Sequence, residues 1–467
     1  MLFAGTGWWH SNADILRMLL GFVVLAEFVL YFQPDSRRPD PGVATGQRAL
    51  RWQYSVFALC INALALISPF FVSDDAIRHI YDGRYLLQGL NPYLASPDQL
   101  GPVLPFWPNH PTVPTIYLPM TQLMALAGSW LDRRYGFLIL YHASLLLLMM
   151  VTIWRCQRIW LLRIPFSASL LLIHFGHHAD YWGMWLLLAL LSQPGSLSRQ
   201  AAMRQTNAFW KIYGGAALEG LACSALGMLK PGAWPWILVS GGRRALWHTP
   251  GIGKRAELTG WLAGFLTGTT LLFLFTITWL WPTADSWRAF LSTLQLFSTW
   301  FWAYNPLVAL LLEADWKLPE AIRFNRMLVF GVLTGYIAWI AWRRYKNWPR
   351  YKSLAGATTY RPRNRRKLFQ VLLQVTWALS LASLAGQGVW HPWYLCWLIP
   401  FVWLQSKKRA GVAVLLLVIP VFYIPVIDLR LQGLWRMGDF FIALALVLAV
   451  IGSFLYIRKV ANGNSPI

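Results

Sequence analysis

Long apolar runs alternate with short blocks of Arg and Lys along this chain, and that alternation decides which solvent it folds in. The runs at 145–150, 186–191, 271–275 and 414–419 lie in segments long enough to cross a hydrocarbon core of roughly 30 Å. With 57% hydrophobic and only 13% charged residues among 467, the chain lacks the polar surface to cover a water-facing core. The bilayer must be its solvent. The expectation is an all-α polytopic membrane protein: a single transmembrane domain over 1–467, with no soluble domain appended. Trp (29) and Tyr (18) are abundant, as suits rings that sit at membrane interfaces with one polar atom toward water.

A formal charge of +23 raises the possibility of nucleic-acid binding. The basic residues, however, fall in short blocks between apolar spans, as in cytoplasmic loops facing lipid headgroups, and no nucleic-acid-binding module is legible. Cys60, Cys156, Cys223 and Cys396 are isolated, so neither a disulfide framework nor a thiolate metal site is indicated. The start of the chain lacks a charged leader and a small-residue cleavage site, which predicts a retained first span.

The basic segments 34–51, 194–211, 242–256, 343–367 and 406–409 belong inside by the positive-inside rule. Spans are then predicted near 13–33, 52–72, 135–154, 257–281, 324–342, 368–389, 393–405, 410–427 and 438–457. Broken pairs surround His177-His178-Ala179-Asp180 and Lys230-Pro231-Gly232. Residues 116–130 are apolar but are taken as a re-entrant or interfacial piece, which keeps Arg155, Arg158 and Arg163 inside. This topology leaves 73–134 as a large outer loop with interfacial helices. The aspartate pair, the histidine motif, Lys230 and His391-Pro392-Trp393-Tyr394 all fall at outer ends of spans, which predicts a shared site there.

Ser73 suits a helix cap, and Ile77, Ile80, Tyr81 and Tyr85 recur at helical spacing, predicting an amphipathic helix at the outer interface. Asp74 and Asp75 would open it, favoured by the helix dipole and by Arg78 one turn on. They suit a general base that stays ionised, or only an acidic helix start. Asn91-Pro92 and Pro97, Pro102, Pro105, Pro108, Pro111, Pro114 and Pro119 break any long helix beyond it. The aromatics of that stretch (Tyr93, Phe106, Trp107, Tyr117) predict a folded cover whose rings suit the apolar faces of a sugar. His174, His177, His178 and Asp180 only partly meet zinc-ligand spacing and could equally line a wet cavity or cap a broken helix. Lys230 should face a cavity or an anion such as phosphate, or snorkel to the interface. The His391-Pro392-Trp393-Tyr394 motif also fits an interfacial aromatic belt.

Taken in order, Asp74-Asp75, Tyr81-Asp82-Gly83-Arg84, Gly89-Leu90-Asn91-Pro92-Tyr93, Pro114-Thr115-Ile116-Tyr117-Leu118-Pro119, His178-Ala179-Asp180, Lys230-Pro231 and Trp390-His391-Pro392-Trp393-Tyr394 resemble the polyprenyl-phosphate-dependent glycosyltransferases of the GT-C superfamily, bacterial mannosyltransferases most of all. The chain departs from the usual pattern at Tyr81, where the family commonly has Trp, and at Leu118, where a second proline is commoner.

The resemblance implies a GT-C type bundle of about 11–13 membrane segments with a large first catalytic outer loop. It implies a non-cytoplasmic site in a bacterial plasma membrane and a polyprenyl-phosphate sugar donor. The acceptor would be a glycan or glycolipid. Asp74 or Asp75 would be the base, and Lys230, Arg78 or Arg84 would hold the donor phosphate. Asp82, Asn91, Tyr93, Tyr117, His178, Asp180, His391, Trp393 and Tyr394 would line the sugar and acceptor pocket, Trp393 and Tyr394 at its lipid-facing entrance. No cofactor is required, and a divalent metal is possible but not indicated. A lipid or solute transporter or flippase would also explain broken helices with polar groups, but no repeat of the 73–119 pattern occurs in the second half.

Overall fold

The structure is a computed structural model that describes residues 44–67, 75–104, 107–108, 110–133, 135–156, 159–192, 208–246, 252–300, 305–346, 361–386 and 391–404. Among these the regular structure is helical, without a strand. Five helices are long and apolar enough to cross a membrane: Gln47–Ile67, Gly136–Arg155, Ala256–Leu280, Leu318–Arg343 and Leu368–Ala385. The protein is thus a multi-pass helical membrane protein. The spans expected near 13–33, 410–427 and 438–457 lie outside the described residues.

Two compact units interleave along the chain: one takes 1–73, 158–181 and 390–467, the other 74–157 and 182–389. The first holds α1 (Ala44–Ile67), a 3₁₀ turn at Ile159–Arg163 and a short apolar helix, Ala168–Phe175. Its last described part, Pro392–Leu398, is 3₁₀ and passes into a short α-helix, Ile399–Leu404, where one span was expected. Stacking of Tyr54 on Phe166 (5.6 Å) joins α1 to the segment after the 3₁₀ turn.

In the second unit, α2 (Asp75–Leu87) packs against α3 (Pro119–Leu131) and α4 (Gly136–Arg155). The amphipathic pattern predicted a helix with one face in water. Instead Arg78, His79 and Asp82 are as buried as Ile77 and Ile80, because the proline-rich loop folds over the polar face and supplies it with partners. Gly83 makes the α2–α3 approach possible: a Cβ there would fall on the carbonyl oxygen of Ala125. Thirteen residues of α3 rise only about 20 Å, short of a hydrocarbon core. It begins at Pro119, where a missing N–H costs nothing, and is largely buried within the unit. A re-entrant or interfacial piece was expected at 116–130, and the helix found there is shorter than a span.

The broken pair at Lys230 is α7 (Ala208–Gly227) and α8 (Trp234–Leu246), following α5 (Ala168–Phe175) and α6 (Ala179–Leu191), the pair around the histidines. Lys230 precedes a proline and is extended (φ −154°, ψ 142°). The Trp234 indole donates to the Gly227 carbonyl (2.8 Å), satisfying one of the acceptors left at the end of α7. The next helix, α9 (Ile252–Phe275), continues through a π turn, Thr276–Leu280. It runs parallel to α7: Gly260 meets Tyr213, Gly264 meets Ala217 and Gly268 meets Ser224. Small residues set this contact, as in membrane helix pairs that lack a hydrophobic drive. Beyond lie α10 (Ala284–Trp300), α11 (Pro306–Glu313), α12 (Leu318–Lys346) and α13 (Arg361–Ala385). The pair α10 and α11 was not expected, since neither is long enough to read as a span.

Buried charges tie α7, α8 and α9 together at the end where α8 stops and α9 starts. Glu219 accepts from Arg243 (2.8 Å), from Arg244 and from the Ser240 hydroxyl (2.5 Å), while Arg244 also reaches Glu257 (3.2 Å). Two of the basic residues at 242–256 therefore lie inside the protein rather than against headgroups.

A Cβ on Gly264 would collide with the backbone of Ala217, which no side-chain rotation relieves. Gly264→Val should lower stability by about 1–3 kcal/mol, read as a fall in Tm in detergent. Gly331→Ala, where a Cβ meets open space, should leave Tm essentially unchanged.

Candidate active site

The site in the second unit grows from α2. Asp75 opens the helix and is half-buried, and Asp74 lies outside the described residues. One turn on, Arg78 pairs with Asp82 (3.1 Å), itself fully buried, and donates to the carbonyls of Val113 (2.7 Å) and His110 (3.4 Å). Gln122 of α3 donates to the other Asp82 oxygen (2.8 Å) and to the Thr115 hydroxyl (3.2 Å). Arg84 donates to the Val103 carbonyl (2.6 Å). The Tyr85 hydroxyl donates to the Gly101 carbonyl (2.7 Å), and Tyr81 reaches Leu104 (3.3 Å). Prolines rob this loop of N–H donors, so its carbonyls cannot be satisfied by regular structure. The side chains of α2 act as those donors. Arg78, Arg84 and Asp82, expected at a donor phosphate or a sugar, thus hold the loop to the helix.

Asn91 and Tyr93 do similar work. The Asn91 amide donates to the Leu280 carbonyl at the end of α9 (2.7 Å), and its oxygen accepts from the Tyr93 N–H (2.9 Å). The buried Tyr93 hydroxyl donates to the Tyr117 carbonyl. Its ring packs on Trp281 and Phe290. It is therefore a pillar of the loop rather than an open sugar platform.

Tyr117 is where the predicted site residues meet. Lys230 lies over its ring (5.4 Å to the centroid), and its hydroxyl lies near enough to the Asp75 carboxylate to feel its charge. Burial, with Asp75 next, pushes that hydroxyl well above the ordinary tyrosine range, so it stays a donor through neutral and mildly alkaline pH. His79, one turn after Asp75 on α2, stands edge-on to the same ring (4.3 Å) and against Phe137 (4.9 Å). The Met120 N–H donates to the Met228 carbonyl (3.0 Å), fixing α3 to the chain just before Lys230. Asp75, Tyr117, Lys230 and Leu280 thus gather at one end of α9, opposite the end bearing Arg243, Arg244 and Glu257. No family model, curated protein or solved structure matches the chain. What the constellation does must be argued from its chemistry: an acid, a phenol and an ammonium share one ring.

The other predicted residues sit in the first unit. His178 Nδ1 lies 2.7 Å from one Asp180 oxygen, and the Trp397 indole donates to the other (2.5 Å). The Trp393 ring stacks on both His178 (4.3 Å) and His391 (4.3 Å), and His391 also meets Tyr394 edge-on (5.7 Å). Trp393 is buried, so it neither lines an entrance nor forms an interfacial belt. His174 is turned away, within 3.2 Å of the Ile61 carbonyl. Among the described residues no three His, Cys, Asp or Glu side chains are placed to hold a metal ion.

His79, Gln122 and Trp397 were missed. His79 and Asp75 share a face at i and i+4, which was readable. Gln122 and Trp397 contact residues far away in sequence, and nothing local marks them.

Arg78→Ala leaves the Asp82 carboxylate and two loop carbonyls buried without their cation. The cost should be about 3–5 kcal/mol, seen as a lower Tm and as new proteolytic cleavage within 101–113. Arg78→Lys should not rescue it, since an ammonium cannot reproduce the forked contacts.

Proposed function

We propose that the chain is an integral membrane glycosyltransferase of GT-C type. It moves a hexosyl group, mannosyl by the resemblance, from a polyprenyl-phosphate donor to a hydroxyl of a glycan or glycolipid, with inversion. The convergence of Asp75 and Lys230 on Tyr117 carries this reading. We place the reaction at the non-cytoplasmic face of a bacterial plasma membrane. The site end of α9 lies away from the basic segment 242–256, which supports that choice.

In the proposed reaction Asp75 takes the proton from the acceptor hydroxyl as its oxygen attacks the anomeric carbon. The bond from that carbon to the phosphate oxygen breaks on the opposite side, and the lipid phosphate departs as an anion. Lys230 stabilises the charge that develops on it. Arg78 and Arg84 act one step back, holding the loop that carries Tyr117. A monophosphate leaving group facing an ammonium needs no metal. His178, Asp180, His391, Trp393 and Tyr394, which the resemblance implies at the sugar, form their own packed cluster in the first unit, and the reaction proposed here uses none of them directly.

Purified protein in lipid nanodiscs, offered a panel of polyprenyl-phosphate sugars and a glycolipid acceptor, should transfer one of them. Asp75→Asn should abolish that transfer with the fold intact. Full activity of this variant would remove Asp75 from the role of base. Lys230→Gln should lower kcat by roughly 10²-fold or more, the usual effect of losing one charge-stabilising donor. A wild-type protein that moves labelled lipid or sugar across vesicles without forming product would favour the transporter instead.

We propose that the Tyr117 hydroxyl donates to Asp75 in the working site and so favours the carboxylate. In Tyr117→Phe, which keeps the ring beneath Lys230, the acidic limb of the kcat/KM profile should therefore move to higher pH. An unmoved limb would show that the hydroxyl does not tune the base.

A further inference from the structure

The helix α10 follows the α9 span after only three residues, 281–283, so it starts where that span leaves the hydrocarbon. Its side chains divide into three stripes. Ser286, Phe290 and Thr293, at spacings of four and three, are buried against the protein. Asp285, Arg288, Ser292 and Gln295 form a solvated stripe on one side, with Asp285 and Arg288 in an exposed ion pair (3.3 Å). On the other side Trp287, Leu291 and Leu294 form an exposed apolar stripe, and the one further exposed leucine described in α10, Leu296, lies apart from it, between the polar stripe and the buried one. At about 100° per residue the apolar stripe is centred roughly 100° from the buried one and the polar stripe roughly 150° from it the other way round.

A helix exposing its polar stripe to water has no reason to present a tryptophan and two leucines to the same solvent. Those side chains would add exposed apolar surface with nothing to cover it. The stripe is, however, continuous with a lipid-facing surface. The end of α9 exposes Phe273, Leu274, Ile277 and Trp279, and Trp281 meets Trp287 edge-on at 4.6 Å. We propose that α10 lies in the plane of the bilayer surface, with Trp287, Leu291 and Leu294 inserted among the acyl chains of the leaflet that α9 reaches at Leu280. The polar stripe then faces water and the headgroups, as in an interfacial amphipathic helix.

The placement joins the membrane to the loop above it. Phe290 packs on Tyr93 (5.2 Å) and Trp281 (4.9 Å), and Asn91 holds the Leu280 carbonyl. The lipid-embedded helix therefore fixes the depth at which the proline-rich loop stands over the bilayer. This holds whatever reaction the protein carries out.

Single cysteines at 291, 294, 292 and 295, made in full-length protein with exposed Cys60 replaced, can be labelled with bimane in nanodiscs. All four positions are on the outside of the helix, so labelling does not disturb the core. Doxyl groups on the lipid acyl chains should quench 291 and 294 strongly and 292 and 295 weakly. Aqueous iodide should give the reverse order. Iodide quenching at 291 and 294 equal to that at 292 and 295 would show a solvated helix and overturn the proposal. Protection of 291 and 294 from both quenchers would also overturn it, because protein rather than lipid would then cover the stripe. Leu291→Glu gives a second reading: the doxyl quenching at 294 should fall, and an unchanged value would count against insertion.

Discussion

A guanidinium enclosed at the second turn of α2 organises the region around it. Arg78 neutralises the buried Asp82 and at the same time supplies donors to the carbonyls of His110 and Val113. Without it, α2 would carry an unmatched carboxylate into the interior and the loop would have acceptors facing nothing, each a cost of kilocalories. With it, a stretch whose prolines forbid helix and sheet becomes a fixed cover. Arg84, Tyr85, Asn91 and Tyr93 repeat the same solution along the loop. The position of Tyr117, and hence of everything that touches its ring, follows from this set of side chain to carbonyl bonds.

This arrangement separates two jobs within a short stretch of sequence. The inner residues of α2 are structural, whatever their charge, and the helix start is left partly open. Asp75 keeps partial exposure beside Tyr117, while Asp82, seven residues later, is sealed. Two carboxylates on one helix thus have different surroundings: one can exchange a proton with an incoming molecule, and the other is locked in place. Lys230 joins the first group from a distant helix break because Pro231 forces its backbone to be extended there.

Much of this was legible from local rules. The long apolar helices, the breaks at Lys230 and after His177, and the short α3 all follow from hydropathy, proline chemistry and length. The start of α2 at its acidic end was equally readable. Its exposure was not. Periodicity marks an apolar face at Ile77, Ile80 and Tyr81, but whether the opposite face meets water depends on a loop that folds back from residues 101–117. The partners of Arg78 and Arg84 were hidden for the same reason: a basic residue near an outer loop suggests an anion, and only the fold shows the carbonyls that these two reach. Glu219 escaped notice because a lone acid in an apolar helix carries no local sign of the two arginines that meet it.

That glutamate constrains how the chain enters the membrane. It lies midway along α7, while its counter-charges, Arg243 and Arg244, arrive only with α8, and Glu257 only with α9. Delivered alone into hydrocarbon, α7 would bear an unmatched charge at a cost of about 3 kcal/mol on an insertion scale. Delivered together, the three segments bring Glu219 and Glu257 to Arg243 and Arg244, and within that cluster the four charges cancel. Glu219 is therefore matched in lipid only in the company of α8 and α9, an obligation written into the order of synthesis.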